Sequence, residues 1–235
     1  LTVTPDPSMR RWNGDGIDRV SARGLTTEDA LPAPKQIPVN GETARFDLLS
    51  EFLHADAVPN ADLMIRGIGE SDLKQLLDDA TDAESYLKPV AERLDISQST
   101  VYNWVSRDSI PAGVLLELYD QDTVVERVPG DVTLGIRRDG ASISRQFEVD
   151  EAVGTMLGYY AAEGFTRREA GSFYQTTICT PDDVPRDEII GVFDDVLDVE
   201  AFEENEWKVT VSSRLVTAIV ADVLDVGSRA EDKSI

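Results

Sequence analysis

Cysteine and histidine occur once each in this 235-residue chain, as Cys179 and His54. One cysteine excludes an internal disulfide framework and a multi-cysteine zinc site. Cys179 falls within Thr176–Thr180 and reads as a buried strand residue, and His54 falls in an apolar helical stretch and reads as structural. No run approaches the roughly 20 apolar residues that span a bilayer, and the N-terminal stretch has no signal-peptide architecture. A soluble, cytoplasmic chain with no membrane partner is expected. Lysine is scarce, confined to Lys35, Lys74, Lys88, Lys208 and Lys233, whereas arginine is not depleted.

Acid is abundant. Against 22 Lys and Arg stand 45 Asp and Glu, a net charge of −23 spread along the whole chain. In dilute buffer such a charge repels phosphate. Diffuse acid with little lysine also fits a halophilic proteome, whose molar salt shrinks the Debye length to about 3 Å. Net charge then stops deciding the partner, and the places where arginine gathers matter more.

The length suits one large domain or two to three small ones. Residues 1–45 read as strands and turns: Thr2–Thr4, the turn cluster Asn13-Gly14-Asp15-Gly16, and Pro32, Pro34 and Pro38 as helix breakers. From Phe46 to about Arg127 the apolar spacing turns helical, with Phe46, Leu48, Leu49, Phe52 and Leu53 as one stripe and Leu73, Leu76 and Leu77 as another. Val132–Ile136 and Ala141–Phe147 alternate around Arg138-Asp139-Gly140, a hairpin signature. After Asp150 the order reads helix, two strands, helix, two strands, helix. That αββαββα order predicts an α+β layer with helices on one face of an antiparallel sheet.

Within that last region the helix Glu151–Gly164 carries chemistry. Asp150 is an N-cap and Glu151 a first-turn acid. Gly154, Gly158, Ala161 and Ala162 form a small-residue stripe on one face. Each glycine costs a helix about 1 kcal/mol, so two together call for a compensating close approach by another helix. Glu163 closes the helix before Gly164, which suits a C′ glycine. A carboxylate at the negative end of the helix dipole is unfavourable unless a cation such as Mg²⁺ sits beside it. From these residues alone, a solvated glutamate and a metal-holding one both stand.

A second motif is Pro89–Val105. Ala91 is small where two helices would cross, Leu94 and Ile96 fill the angle, Ser97 caps the second helix, and Val101 and Trp104 anchor it. Asp95 takes the place of the usual turn glycine, tolerable because Asp visits the left-handed region. The segment resembles a helix-turn-helix. Gln98, Ser99, Thr100, Tyr102 and Asn103 would then reach base edges in a major groove, with Arg107 at a phosphate. A helical hairpin used only for packing is the alternative.

The segment Met156-Leu157-Gly158-Tyr159-Tyr160-Ala161-Ala162-Glu163-Gly164 is similar to the first LAGLIDADG motif of archaeal intein homing endonucleases, and the αββαββα order matches that family's half-domain. The resemblance implies a saddle-shaped sheet on double-stranded DNA, helix pairing through Gly154, Gly158, Ala161 and Ala162, and Mg²⁺ or Mn²⁺ held at Glu163 and Gly164. It adds Lys233 as the basic catalytic residue, in a closing block Gly227–Ile235. DNA contacts would come from Arg137, Arg138 and Arg145 at the hairpin, from Arg167 and Arg168, and from Gln175 and Lys208 on the sheet. One motif is present, so a second half-domain or a homodimer partner is expected. Val3-Thr4-Pro5-Asp6-Pro7 resembles an intein block with Pro7 in its histidine position, and no splicing nucleophile or terminal His-Asn pair is present, so no splicing is expected. The organisation read from these residues is a splicing-module remnant over 1–45, a helical DNA-recognition region over 46–130 and the endonuclease half over 131–235. A DNA-binding module that no longer cuts and an inert remnant are the competing readings.

Overall fold

The computed structural model describes residues 8–31, 43–81, 85–169, 173–180 and 183–228. Thr2–Thr4, the block ending at Pro7, the prolines at 32, 34 and 38, and Lys233 lie outside these. The chain divides into two compact units, Leu1–Glu42 and Thr43–Ile235.

In the first unit, β1 (Ser8–Trp12) pairs antiparallel with β2 (Ile17–Ser21). The expected turn cluster joins them. Asn13 Oδ1 accepts the N–H groups of Asp15 and Gly16 at 3.0 and 2.9 Å, and Gly14 takes φ 100°, where a side chain would be strained.

The second unit begins with β3 (Ala44–Asp47), α1 (Leu48–Ala55), β4 (Leu63–Arg66) and α2 (Glu70–Asp79). It continues through α3 (Leu87–Arg93), α4 (Gln98–Ser106), β5 (Ser109–Pro111), α5 (Ala112–Leu118) and α6 (Gln121–Arg127). Then come β6 (Thr133–Ile136), β7 (Ser142–Ser144) and β8 (Gln146–Val149). The remainder is α7 (Glu151–Glu163), β9 (Gly164–Glu169), β10 (Phe173–Cys179), α8 (Asp183–Asp195), β11 (Phe202–Asn205), β12 (Lys208–Val211) and α9 (Arg214–Ala218). A π-helical stretch, Ile219–Val223, prolongs α9. The αββαββα order expected after Asp150 is therefore present.

The region from Phe46 to Arg127 differs from its helical expectation. Phe46 lies on β3 opposite Phe147 of β8. Leu63–Arg66 is an inner strand of a sheet ordered β5-β4-β6-β7. A four-residue apolar run has no periodicity of its own, so long-range pairing decides its state. The pairing of β4 with β6 also means that a boundary near residue 130 would cut a sheet. That sheet buries Leu63, Ile65, Ile110, Leu134, Ile136 and Ile143 on one face.

The last sheet runs β11-β12-β10-β9. Its helix-covered face carries the buried Ile178, Val209 and Val211, and Thr176 Oγ1 lies 3.2 Å from Thr217 Oγ1 of α9. Phe165, Arg167, Gln175, Thr177, Lys208 and Thr210 alternate onto the opposite face. No helix among the described residues is long and apolar enough to cross a membrane.

Candidate nucleic-acid interface and carboxylate site

α3 and α4 form the angle that the motif predicts. Asp95 adopts φ 54° in the turn, and Ile96 N–H donates to Ala91 O at 3.0 Å. Ser97 Oγ accepts the Thr100 N–H at 3.2 Å, capping α4. Val90, Ala91, Val101 and Val105 are buried, while Leu94, Ile96 and Trp104 pack half-buried against the same core. Val105 thus anchors α4 more deeply than the expected Trp104. On the other side Gln98, Ser99, Tyr102, Asn103 and Arg107 are exposed and Thr100 is half-buried. Tyr102 is 58% exposed.

α7 begins as read: Asp150 Oδ1 accepts the Val153 N–H at 3.0 Å. Val153, Met156 and Tyr160 turn into the core. Gly154, Gly158 and Ala162 are exposed, and a Cβ added at either glycine would meet no atom within 4 Å. Ala161 departs from the stripe and packs half-buried on its own core. Glu163 ends the helix exposed.

Gly164 is not a left-handed C′ residue. Its φ is −93° with ψ 171°, and it opens β9 opposite Ile178. Glycine is needed there for closeness instead: a Cβ would lie 2.4 Å from Tyr160 Cδ2 and 2.7 Å from Tyr160 O. Tyr160 is fully buried and its hydroxyl donates to Gly227 O at 2.7 Å. Desolvation by burial raises the Tyr160 pKa, keeping that hydroxyl a donor.

The expected arginines separate. Arg137 and Arg138 are exposed at the β6–β7 turn, where Arg138 itself takes φ 66°. Arg145 is not on that surface. It is 4% exposed, pairs with Asp47 through 2.6 and 2.9 Å contacts, and donates to Val125 O at 2.7 Å and to Val128 O. Arg168 faces the helices, donating to Asp222 Oδ2 at 2.7 Å. Arg167 faces the open side of the sheet, 5.0 Å over the Phe165 ring, in line with Gln175. Lys208 shares that face and lies 3.8 Å from Glu204. The sequence reading missed Asp139, whose Oδ2 accepts from Ser213 Oγ and Leu215 N at 3.1 and 3.0 Å, fastening the hairpin to α9.

For a divalent cation the chain supplies oxygen chemistry at Glu163. Among the described residues no three His, Cys, Asp or Glu side chains converge as a metal cage.

Comparison with known proteins places the first motif in a class. Residues 87–122 match the bacteriophage CI repressor helix-turn-helix domain, so the chain carries a helix-turn-helix of a DNA-binding type. Along its whole length the chain is 25% identical to a segment of the DNA polymerase II large subunit of Haloquadratum walsbyi, 11% of that protein. It is 30% identical over 192 residues, 80% of the chain, to 9% of the same subunit from Thermococcus kodakarensis. A stretch of 53 residues, 23% of the chain, is 70% identical to 4% of the subunit from Halobacterium salinarum. The chain thus spans about a tenth or less of the curated relatives it matches.

Proposed function

We propose that this chain is a DNA-binding half of a LAGLIDADG homing endonuclease, carried by an intein within a DNA polymerase II large subunit. The observation that carries the reading is α7, which shows an open face of Gly154, Gly158 and Ala162 and ends on exposed Glu163. Two helix glycines that no atom approaches are a stability cost without benefit until a second helix backbone packs on them. A partner helix brings a second carboxylate next to Glu163, and the two would share Mg²⁺ or Mn²⁺ with the scissile phosphates. Such cations polarise a phosphoryl oxygen and activate water in phosphodiester hydrolysis. Glu163 holds its corner of that site, and Arg167, Gln175 and Lys208 line the open sheet face on which a duplex would lie. The helix-turn-helix adds base contacts away from the chemistry.

The test is cleavage of a plasmid bearing the polymerase-subunit gene with this insertion removed, with Mg²⁺ and with the chain supplied as a dimer or joined to a second half. Cutting that Glu163→Gln abolishes, with DNA binding retained, supports the reading. Cutting by Glu163→Gln at the unaltered rate overturns it. A second reading, a DNA-binding module that no longer cuts, is favoured by the match of residues 87–122 to a repressor helix-turn-helix domain. It predicts binding without cleavage under every condition.

A further inference from the structure

In a chain of net charge −23, a cation left without an acidic or carbonyl partner is the exception. Within the second unit, Arg45, Lys74, Lys88, Arg127, Arg145, Arg168, Arg186, Lys208 and Arg214 are ion-paired. Arg93 instead clasps the carbonyls of Ala80, Glu117 and Leu118. Among the described residues of the second unit, the guanidinium groups without such partners are those of Arg66, Arg107, Arg137, Arg138 and Arg167. Arg66 lies on one surface, the face of the sheet β5-β4-β6-β7 away from its core, and Arg107 and Arg137 adjoin its two ends, whereas Arg138 lines a cleft with Tyr174 and Arg214.

The register shows how that face is built. Ser109, Arg66, Thr133 and Ser144 stand opposite one another across the four strands, so their side chains form one row with a single cation among three hydroxyls. No carboxylate shares this row, and in the next one Ser142 Oγ donates to Asp198 Oδ2 at 2.9 Å. Thr133 and Ser144 are exposed and Arg66 is half-buried. In the next row stands Gly135, and a Cβ there would lie 2.6 Å from Arg66 Nη1 and 2.9 Å from its Cζ. The absent side chain lets the Arg66 guanidinium lie across β6. Arg107 precedes Ser109 by two residues, at the C-terminal end of α4, and Gly67 N–H donates to Asp108 O at 3.2 Å, so the backbone segments that carry Arg66 and Arg107 run side by side. At the other end of the sheet Arg137 lines a cleft of about 510 Å³ with Ile96 and Trp104 of the helix-turn-helix. The exposed side of α4 itself carries Gln98, Ser99, Tyr102, Asn103 and Ser106 and no charge.

We propose that this sheet face is a phosphate-gripping surface for duplex DNA, with Arg66, Arg107 and Arg137 holding the backbone on either side of a neutral reading helix. It rests on the DNA-binding reading above and extends it to a sheet outside the αββαββα part and to Arg66, whose guanidinium has no acidic or carbonyl partner among the described residues. The hydroxyls of Ser109, Thr133 and Ser144 donate to phosphate oxygens along the same backbone. Phosphate contacts of this kind fix register and orientation, and base edges remain the business of α4.

The test uses the full chain and a mixed-sequence 30-bp duplex, with affinity measured across a KCl titration. Each phosphate contact contributes about −0.9 to the slope of log K against log salt. The combined variant Arg66→Ala, Arg107→Ala, Arg137→Ala should show a slope shallower by about 2.7. Arg127→Ala, whose guanidinium already pairs with Asp79, should leave the slope unchanged. Gly135→Ala should shift the slope in the same direction as Arg66→Ala, because it displaces the guanidinium without removing the charge. A folded combined variant, checked by circular dichroism, that keeps the original slope overturns this proposal alone. Absence of any duplex binding by the unaltered chain overturns the DNA-binding reading and this surface with it.

Discussion

Replacing Arg145 by Met tests whether that residue belongs to the fold rather than to a nucleic-acid surface. Its guanidinium joins three parts of the second unit: Asp47, which caps α1; the carbonyls of Val125 and Val128 at the end of α6; and its own strand segment between β7 and β8. The Arg145 side chain is 5% exposed and that of Asp47 29%. Methionine fills much of the volume but leaves two carbonyls and a carboxylate without their donor. Removing one partner of a buried pair costs about 3–5 kcal/mol, far above a surface pair. For a unit of this size that lowers the melting temperature by about 6–20 °C. Lysine should not rescue, because one ammonium cannot reproduce the fork that reaches a carboxylate and two carbonyls together.

Acid adds a second readout. Burial by itself would raise the Asp47 pKa, but the Arg145 hydrogen bonds and charge, with the N–H groups of Ser50 and Leu49, more than offset it and hold the carboxyl below its usual range. A depressed folded-state value means stabilisation that is complete above the unfolded value near 3.9 and is lost as pH falls through the folded one. The unaltered chain should therefore lose stability on acidification below about pH 4, and Arg145→Met should lose less over that interval because Asp47 has already lost its cation. Urea denaturation in concentrated KCl at pH 7 and pH 3 measures both. A cost under about 1 kcal/mol, or weakened DNA binding by a variant of undiminished stability, would refute the structural role.

Gly158→Leu should leave the melting temperature of the isolated chain within a few degrees, since no atom lies within 4 Å of the new Cβ, yet abolish self-association or pairing with a second half in sedimentation. Gly164→Ala should do the reverse, lowering stability by about 1–3 kcal/mol through collision with Tyr160, and thermal melts would show it. Removing salt should destabilise the chain through self-repulsion of its 45 acidic residues; equal melting temperatures in dilute buffer and molar KCl would contradict the halophilic reading. Tyr102→Ala should weaken duplex binding while sparing the fold, because the ring is 58% exposed; unchanged affinity in a gel shift would remove Tyr102 from the interface.

What the sequence disclosed and what it hid divide by the distance over which each feature is decided. The caps at Asp150 and Ser97, the left-handed Asp95 and the buried side of α4 are settled within one or two helical turns, so residue spacing shows them. Gly164 was misassigned by the same local logic, because the constraint on it is the Tyr160 ring tied down by Gly227, 67 residues further on. Strand alternation carried a usable signal for Arg145: Ile143 is buried, Ser144 exposed and Arg145 buried again, so proximity to Arg137 and Arg138 was the wrong guide. Alternation likewise separates Arg167 from Arg168, although which side is covered follows only from the helices that pack there.

The partner of each cation is a longer-range matter still. Arg145 meets Asp47 at a separation of 98 residues, Arg168 meets Asp222 at 54, and Arg127 meets Asp79 at 48. Composition counts the arginines, and local pattern guesses their exposure, but neither says which ones the fold leaves unneutralised. Arg66 makes the point most sharply. It sits on a four-residue strand that no periodicity announces, and its value as an anion contact depends on Gly135, which is distant in sequence and adjacent in space. In so acidic a protein a duplex can approach only where the fold has kept such cations clear of carboxylates. On the surface proposed above, nucleic-acid recognition would depend on strand pairing as much as on the helix-turn-helix, and it would fail in a variant that kept α3 and α4 intact but lost the β4–β6 pairing.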